Sequence, residues 1–362
     1  MPVGGAEQLC VEFLRGLDPA RYQAVTCCIG TKGVVGEEIE RAGFEVVELG
    51  RMRSKRFDLG AVRDLRRLMK SRSIDIVHTN MYHANLYGRL GALLLRPRPG
   101  IVTAVHSVYH ETKYHRLRIN RVLNRFTDRI LAVSEPVRDD VVRLEKAPLG
   151  KVVVLPPAVD FGRLDRSISK AEARRRLGLA ESDRVIGTVG RLVAAKSHAL
   201  LIDAVANLIG RGFDLKLLIV GGGPLEESLR RQAGELKLSH HVKLLGSRRD
   251  VPELLKAMDI FVMSSIHEAA SVALLEGMAA GLPCIITAVP GMVGVLGGEG
   301  FGMIVPSGNA GAMADAIADL CRSEAKRVEY GLAAMQRARE LFSREAMINR
   351  LDSIYREICA NH

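Results

Sequence analysis

The sequence predicts an α/β protein made of two doubly wound domains. Three observations predict it. Short apolar runs rich in Val and Ile alternate with stretches of helical period along the chain. The alternation is interrupted by the charged segment that follows Leu155-Pro156-Pro157-Ala158-Val159-Asp160, and then restarts. Several apolar runs end in Gly or polar turns that lead straight into a helix, as strands of doubly wound sheets do. At 362 residues the chain is long enough for two separate cores. The expected division is 1–160, 161–325 and a helical end, 326–362, with the linker near 156–165.

The chain opens on Gly4-Gly5-Ala6-Glu7, followed by helix-spaced Leu9, Val11, Phe13, Leu14 and Leu17. A Gly-rich turn entering a helix normally follows a strand. No strand precedes this one, so the first domain is expected to lack its first strand, through truncation or a wrongly assigned start. Strands are then predicted at 22–29, 44–49, 74–78, 101–106, 129–133 and 152–155. Helices are predicted near 35–42, 59–71, 84–95, 117–126 and 137–144. The strand 101–106 ends on His106, at the strand end where such sheets bind ligands. The basic stretch from Lys113 to Arg129 has Leu117, Val122, Leu123 and Phe126 as its apolar side. That pattern suits either a helix lying on an anionic membrane or a solvated helix packed on the sheet. A second basic run, Arg51 to Arg56, offers a site for an anionic acceptor. Ser134-Glu135-Pro136 reads as a helix start, with Ser134 as N-cap.

The second half predicts strands at 185–189, 215–220, 242–245, 260–263, 284–287 and 303–305. Helices are expected near 198–208, 225–236, 252–258, 272–280 and 310–321. The first of these strands runs into Gly190-Arg191-Leu192-Val193-Ala194-Ala195-Lys196. Gly221-Gly222-Gly223-Pro224 ends the next, with tight turning as its structural role. The stretch Ser264 to Pro283 carries Glu268 in a turn and Glu276 inside the following helix. Ala269-Ala270-Ser271-Val272 open that helix, whose first amides suit an anion. Glu276 has Leu274, Leu275, Gly277 and Met278 around it, a setting in which a carboxylate needs a partner.

The net charge is +11. It is concentrated in residues 1–163, which carry +9, against +2 for the rest. A basic first half invites an anionic acceptor or membrane surface. Nucleic acid is disfavoured, because aromatic content is 4%, Trp is absent and no binding motif appears. No apolar run is long enough to span a bilayer, and no secretory signal is visible. The six cysteines form no C-x-x-C pair, as expected of reduced core thiols in a cytoplasmic protein.

Glu268 and Glu276, with the Gly190-Arg191-Leu192 … Lys196 element, resemble the signature of the retaining family 4 glycosyltransferases of GT-B fold. The Gly4-Gly5 turn, the Gly221 to Pro224 turn and Leu245 to Val251 are similar to further elements of that family. The resemblance implies two Rossmann-like domains facing a cleft, with the last helix returning to the first domain. It implies a nucleotide-sugar donor, with UDP or GDP as the nucleotide. Glu268 would lie beside the donor sugar and Glu276 would hold the ribose hydroxyls. Arg191 and Lys196 would hold the diphosphate. That fits the chemistry, since the leaving diphosphate gains charge and fixed cations stabilise it. His106 would face the donor sugar, and Gly4, Gly5, Gly190, Ala269, Ala270, Ser271 and Val272 would complete the donor site. Arg248 would contribute backbone contacts near the base. No Asp-x-Asp pair occurs, in keeping with an enzyme that needs no metal or cofactor.

The implied reaction moves a hexose, with retention, to a glycan, lipid-linked or small-molecule acceptor in cell-envelope polysaccharide or glycoconjugate synthesis. The implied location is cytoplasmic, at or near the inner face of the membrane. Ala269 stands where the family usually has Gly. Pro290 to Gly294 replaces an acidic family element, and Pro157-Ala158 also departs from the pattern. An inactive sugar-nucleotide-binding scaffold and a sugar-nucleotide epimerase therefore remain as alternatives.

Overall fold

The computed structural model describes residues 5–52, 57–107 and 114–362. It divides into two compact units, 1–158 with 344–362, and 159–343. The chain therefore changes unit at Ala158/Val159 and again at Ser343/Arg344. The expected boundary at 325/326 falls instead inside a helix of the second unit.

The first unit contains β1 (Val25–Cys28), β2 (Glu45–Glu48), β3 (Ile76–Asn80), β4 (Gly100–Val105), β5 (Arg129–Ala132) and β6 (Val152–Val154). Its helices are α1 (Gly5–Gly16), α2 (Gly33–Arg41), α3 (Leu59–Ser71), α4 (Tyr82–Leu93), α5 (Tyr114–Leu123) and α6 (Glu135–Glu145). All pairings are parallel, but the sheet is in two pieces, β1–β2 and β3–β4–β5–β6. Among the described residues, β1 and β3 each pair on one side only. On β4 the side chains alternate: Val102 and Ala104 join a core with Leu9, Phe13, Leu351 and Tyr355, while Ile101 joins Leu65, Met69 and Tyr87. The strand is thus buried on both faces, which explains its unbroken apolar sequence.

The second unit contains β7 (Val185–Val189), β8 (Lys216–Val220), β9 (Val242–Leu244), β10 (Ile260–Met263), β11 (Cys284–Thr287) and β12 (Met303–Val305). Its helices are α7 (Phe161–Asp165), α8 (Lys170–Arg176), α9 (His198–Gly210), α10 (Glu226–Glu235), α11 (Val251–Ala257), α12 (Val272–Ala279), α13 (Pro290–Leu296), α14 (Ala310–Arg322) and α15 (Glu324–Phe342). The last helix, α16 (Arg344–Ala360), belongs to the first unit. The six strands are parallel in the order β12-β11-β10-β7-β8-β9. Phe261 and Met263 enter one core with Leu274 and Met278; Ile260 and Val262 enter the other with Leu201 and Ile317. This alternation between two apolar faces is the signature of a doubly wound sheet. From β7 the chain turns to β8 on one side and later returns to β10 on the other. The point between β7 and β10 is therefore the topological switch point, where such sheets bind ligands.

Three sequence expectations change. Segment 290–296, where no helix was expected, is helix α13. Ser134 stands at the N-cap of α6 in extended backbone but makes no capping hydrogen bond. Leu123 is buried under α5, whereas Val122 and Phe126 are exposed among arginines. The helix is too short for all four apolar residues to face the sheet. No helix of the described residues is long and apolar enough to cross a membrane.

Candidate active site

Two loops meet at the switch point of the second unit. The loop after β7 is locked to the loop after β8 by backbone hydrogen bonds, Gly190 N to Val220 O at 2.9 Å and Leu192 N to Gly222 O at 3.0 Å. The approach is close enough to require glycine. A Cβ on Gly221 would stand 1.9 Å from the Gly190 carbonyl oxygen, and one on Gly223 would stand 2.5 Å from that of Leu192. Gly221 also has φ +144°, outside the reach of most side chains.

The chain then makes a short 3-10 turn at Ala194–Lys196, and Ser197 adopts left-handed backbone with φ 49° before α9 begins. From the other side of the switch point comes the turn after β10. Ile266 N donates to Ala195 O at 2.9 Å, and Ser264 Oγ donates to Lys196 O at 2.9 Å. These contacts bring Lys196 Nζ onto the Glu268 carboxylate, forming a largely buried ion pair. A Cβ on Gly291 would lie 2.3 Å from the Glu268 carbonyl, so α13 seats directly on this turn.

Ser271 is buried and caps α12, its Oγ accepting from Leu274 N at 3.2 Å. Its side chain is thereby committed to the helix. Ala269, Ala270 and Val272 are half-buried around it. Glu276 is half-buried on the same helix, and no donor among the described residues reaches its carboxylate. Burial pushes its pKa up to about 7, with Arg163 opposing the shift. Arg191 is exposed, and its guanidinium has no partner among the described residues. The Arg248 guanidinium is held by Asp250.

Two further residues of this region carry little signal in the sequence. His198 opens the mostly apolar helix HALLIDAVANLIG, and its place directly after the Lys196-Ser197 turn was its only signal. It is buried, its Nε2 lies 3.3 Å from Arg191 O, and its Nδ1 has no partner. Burial, with Lys196 nearby, lowers its pKa to about 4. Arg163, on α7, donates to Arg249 O at 3.4 Å and is the charge that acts on Glu276.

In the first unit, His106 follows β4. Its Nε2 lies 2.9 Å from Asn80 Oδ1 at the end of β3, and burial lowers its pKa to about 4. It is therefore neutral at pH 7. Gly5 is the first residue of α1; Gly4 lies outside the described residues, as do residues 53–56 of the basic run. The structure thus joins Gly190, Lys196, Glu268 and the start of α12 in one place on the second unit, with His106 on the first.

The sequence matches the family described as Glycosyltransferase Family 4 over residues 3–163, and Glycosyl transferases group 1 over residues 169–337. It is 29% identical, over 65% of its length, to the UDP-Gal:alpha-D-GlcNAc-diphosphoundecaprenol alpha-1,3-galactosyltransferase of Escherichia coli, and spans 63% of that protein. The fold is that of a glycosyltransferase from Rickettsia africae ESF-5, with TM-score 0.88 at 21% identity, covering 100% of this chain and 97% of that one. It is also that of Anabaena Alr3699/HepE in complex with UDP, with TM-score 0.86 at 20% identity, covering 98% of this chain and 96% of that one. Two parallel doubly wound units of this kind define the GT-B class of glycosyltransferases. The two family matches span most of the chain, and it belongs to glycosyltransferase family 4.

Proposed function

We propose that this chain is a retaining, metal-independent hexosyltransferase acting in glycan or glycoconjugate synthesis. The observation that carries the reading is the Lys196–Glu268 pair at the β7–β10 switch point. In this reading the second unit holds a nucleotide-diphosphate sugar and the first unit the acceptor. Arg191 and Lys196 take the diphosphate, whose charge grows as the glycosidic bond breaks. Glu268 is then freed from Lys196 to position the sugar. Glu276 accepts from the ribose hydroxyls, which supply the partner its half-buried carboxylate lacks. The departing phosphate oxygen accepts the proton of the acceptor hydroxyl as that oxygen bonds to the anomeric carbon on the same face. UDP is favoured as nucleotide by the Anabaena structure's ligand, and a lipid-linked acceptor by the name of the Escherichia coli relative. The test is a thermal-shift screen of nucleoside diphosphates and their sugars, followed by NMR of the product anomer. A UDP-sugar should raise the melting temperature. An inverted product, or no response to any nucleotide, contradicts the reading.

Peripheral contact with an anionic membrane is a second reading, favoured by one observation. Val122 and Phe126 are exposed beside Arg118, Arg121 and Arg125. Apolar side chains among cations suit the headgroup boundary of a membrane. Flotation with phosphatidylglycerol vesicles should carry the protein, and replacing Val122 and Phe126 with Ser should release it. Equal flotation of both forms rejects the contact.

A further inference from the structure

Residues 190–198 of the second unit close on themselves. Arg191 O accepts from Val193 N at 2.9 Å, Val193 O from Lys196 N at 3.0 Å, and Ala194 O from Ser197 N at 3.0 Å. Ser197 then turns the chain through left-handed backbone, φ 49°. His198 follows as the first residue of α9, and its Nε2 reaches back to Arg191 O at 3.3 Å. A side chain thus ties the end of the loop to its start. Gly190 shows how tightly the parts are packed. A Cβ there would stand 3.6 Å from Lys196 Cε and 3.8 Å from His198 Nε2, so the lysine stem and the imidazole both lie against this one residue.

The imidazole is 4% exposed, and the other buried residues of its helix are Leu201, Ile202, Ala204, Val205 and Leu208. An apolar side chain would sit there at lower cost, because a buried polar ring needs its hydrogen bonds. Only half of that need is met: Nδ1 is buried and has no partner among the described residues. Burial, opposed by the Arg191 carbonyl and aided by Lys196, lowers the pKa of the ring to about 4. It is therefore neutral at about pH 7 and carries one N–H. Arg191 O can only accept, so the proton sits on Nε2 and Nδ1 is bare. One hydrogen bond fixes the tautomer and the ring orientation together. What it holds in shape is the loop that carries both cations of the proposed donor site, Arg191 and Lys196.

We infer that His198 is a positioning residue for the donor diphosphate: its Nε2–H bond to Arg191 O holds the 190–197 loop in the shape that aims Arg191 and Lys196 at one anion. His198 acts through that loop and touches neither the substrate nor the reacting atoms. This role rests on the proposed function, which brings a nucleotide diphosphate to these two cations. Cations on a loose loop bind less well, because the loop must be ordered at the moment of binding. Held in advance, they also meet the growing charge of the leaving group without reorganisation.

The test is calorimetric titration of UMP and of UDP into the full chain. The ratio of the two affinities isolates the second phosphate from the rest of the nucleotide. The wild type should prefer UDP. His198→Leu should cut that preference about tenfold, while UMP affinity changes by no more than about twofold. His198→Gln carries an N–H at a similar reach and should restore most of the preference. Both variants should melt cooperatively. A UDP preference kept in His198→Leu overturns the role, and so does an equal loss for both ligands without rescue by Gln, which is what a merely loosened unit would give. A second measurement needs neither variant nor nucleotide. Nitrogen NMR of the ligand-free wild type at about pH 7 should show His198 as the neutral Nε2–H tautomer. The Nδ1–H tautomer or a protonated ring overturns the role. If the wild type binds neither UDP nor GDP, the donor reading fails and this role with it. In a protein that binds UDP, the absence of a His198 effect overturns this role alone.

Discussion

Lys196 and Glu268 lie 72 residues apart in sequence and meet as an ion pair at the switch point of the second sheet. The pair forms because two backbone-directed contacts, Ile266 to Ala195 and Ser264 to Lys196, join the loops that carry them. A cation and a carboxylate are thereby preorganised where a nucleotide diphosphate would arrive. In the proposed function, Lys196 would exchange the Glu268 carboxylate for a diphosphate oxygen.

Lys196→Ala should therefore lower turnover more than it lowers donor affinity. The diphosphate charge develops in the transition state, so a loss of about a hundredfold or more in kcat is expected. Steady-state kinetics and donor titration measure the two separately. Equal losses in both would assign Lys196 to simple binding.

Glu276 makes stability depend on pH in the ligand-free protein. Its folded pKa is about 7, above the ordinary carboxyl value of 4.5. The folded state thus holds the proton more tightly, and the contribution is complete below the unfolded pKa. It is lost as pH rises through 7, by at most about 3 kcal/mol. Glu276→Gln should flatten this fall in denaturation midpoints between pH 5 and 8 (both limits approximate). Identical pH profiles for the two proteins would show that Glu276 titrates normally.

Ser197 pays for its left-handed backbone, φ 49°, at the turn between Lys196 and α9. Ser197→Gly should stabilise the protein by about 0.5–1 kcal/mol, seen as a higher urea midpoint at unchanged slope. A loss of similar size would mean that the Ser side chain makes a contact worth more than the strain.

Gly221→Ala should do the opposite. Its Cβ would meet the Gly190 carbonyl oxygen at 1.9 Å, so one of the two backbones would have to shift. A cost of about 3 kcal/mol or more is expected from strain and forced separation of the two loops. Calorimetry showing wild-type stability would mean that the loops are less tightly joined than their hydrogen bonds imply.

In the first unit Arg89 donates to Asn120 Oδ1 and Asn124 Oδ1, and both asparagines donate to the Glu145 carboxylate; this buried polar chain should be unforgiving of single changes. Arg89→Met leaves the Glu145 carboxylate and two amides without their cation, at about 3–5 kcal/mol. Chemical denaturation measures it. A change under about 1 kcal/mol would show that water replaces the guanidinium at little cost.

Much of the second unit was legible because its strands are buried on both faces. The apolar runs 185–189, 260–263, 284–287 and 303–305 are strands to the residue. The first unit was blurred at its edges. The run 22–29 yields only Val25–Cys28, which pairs on a single side. Helix α13 was hidden by Gly291 and Gly294. Gly291 is there for its approach to the Glu268 carbonyl, a tertiary demand that local propensity cannot reveal. Glu268, Glu276 and Lys196 were found because motif spacing marks them.

The proposed function has the second unit hold a nucleotide through Glu276, on the helix α12 that follows the turn carrying Glu268. Calorimetric titration of UDP into the wild type and Glu276→Ala tests it most directly. The account predicts binding by the wild type and an affinity about tenfold or more weaker in the variant, since a charged hydrogen-bond acceptor is lost. Equal UDP affinity in a folded Glu276→Ala protein would contradict it.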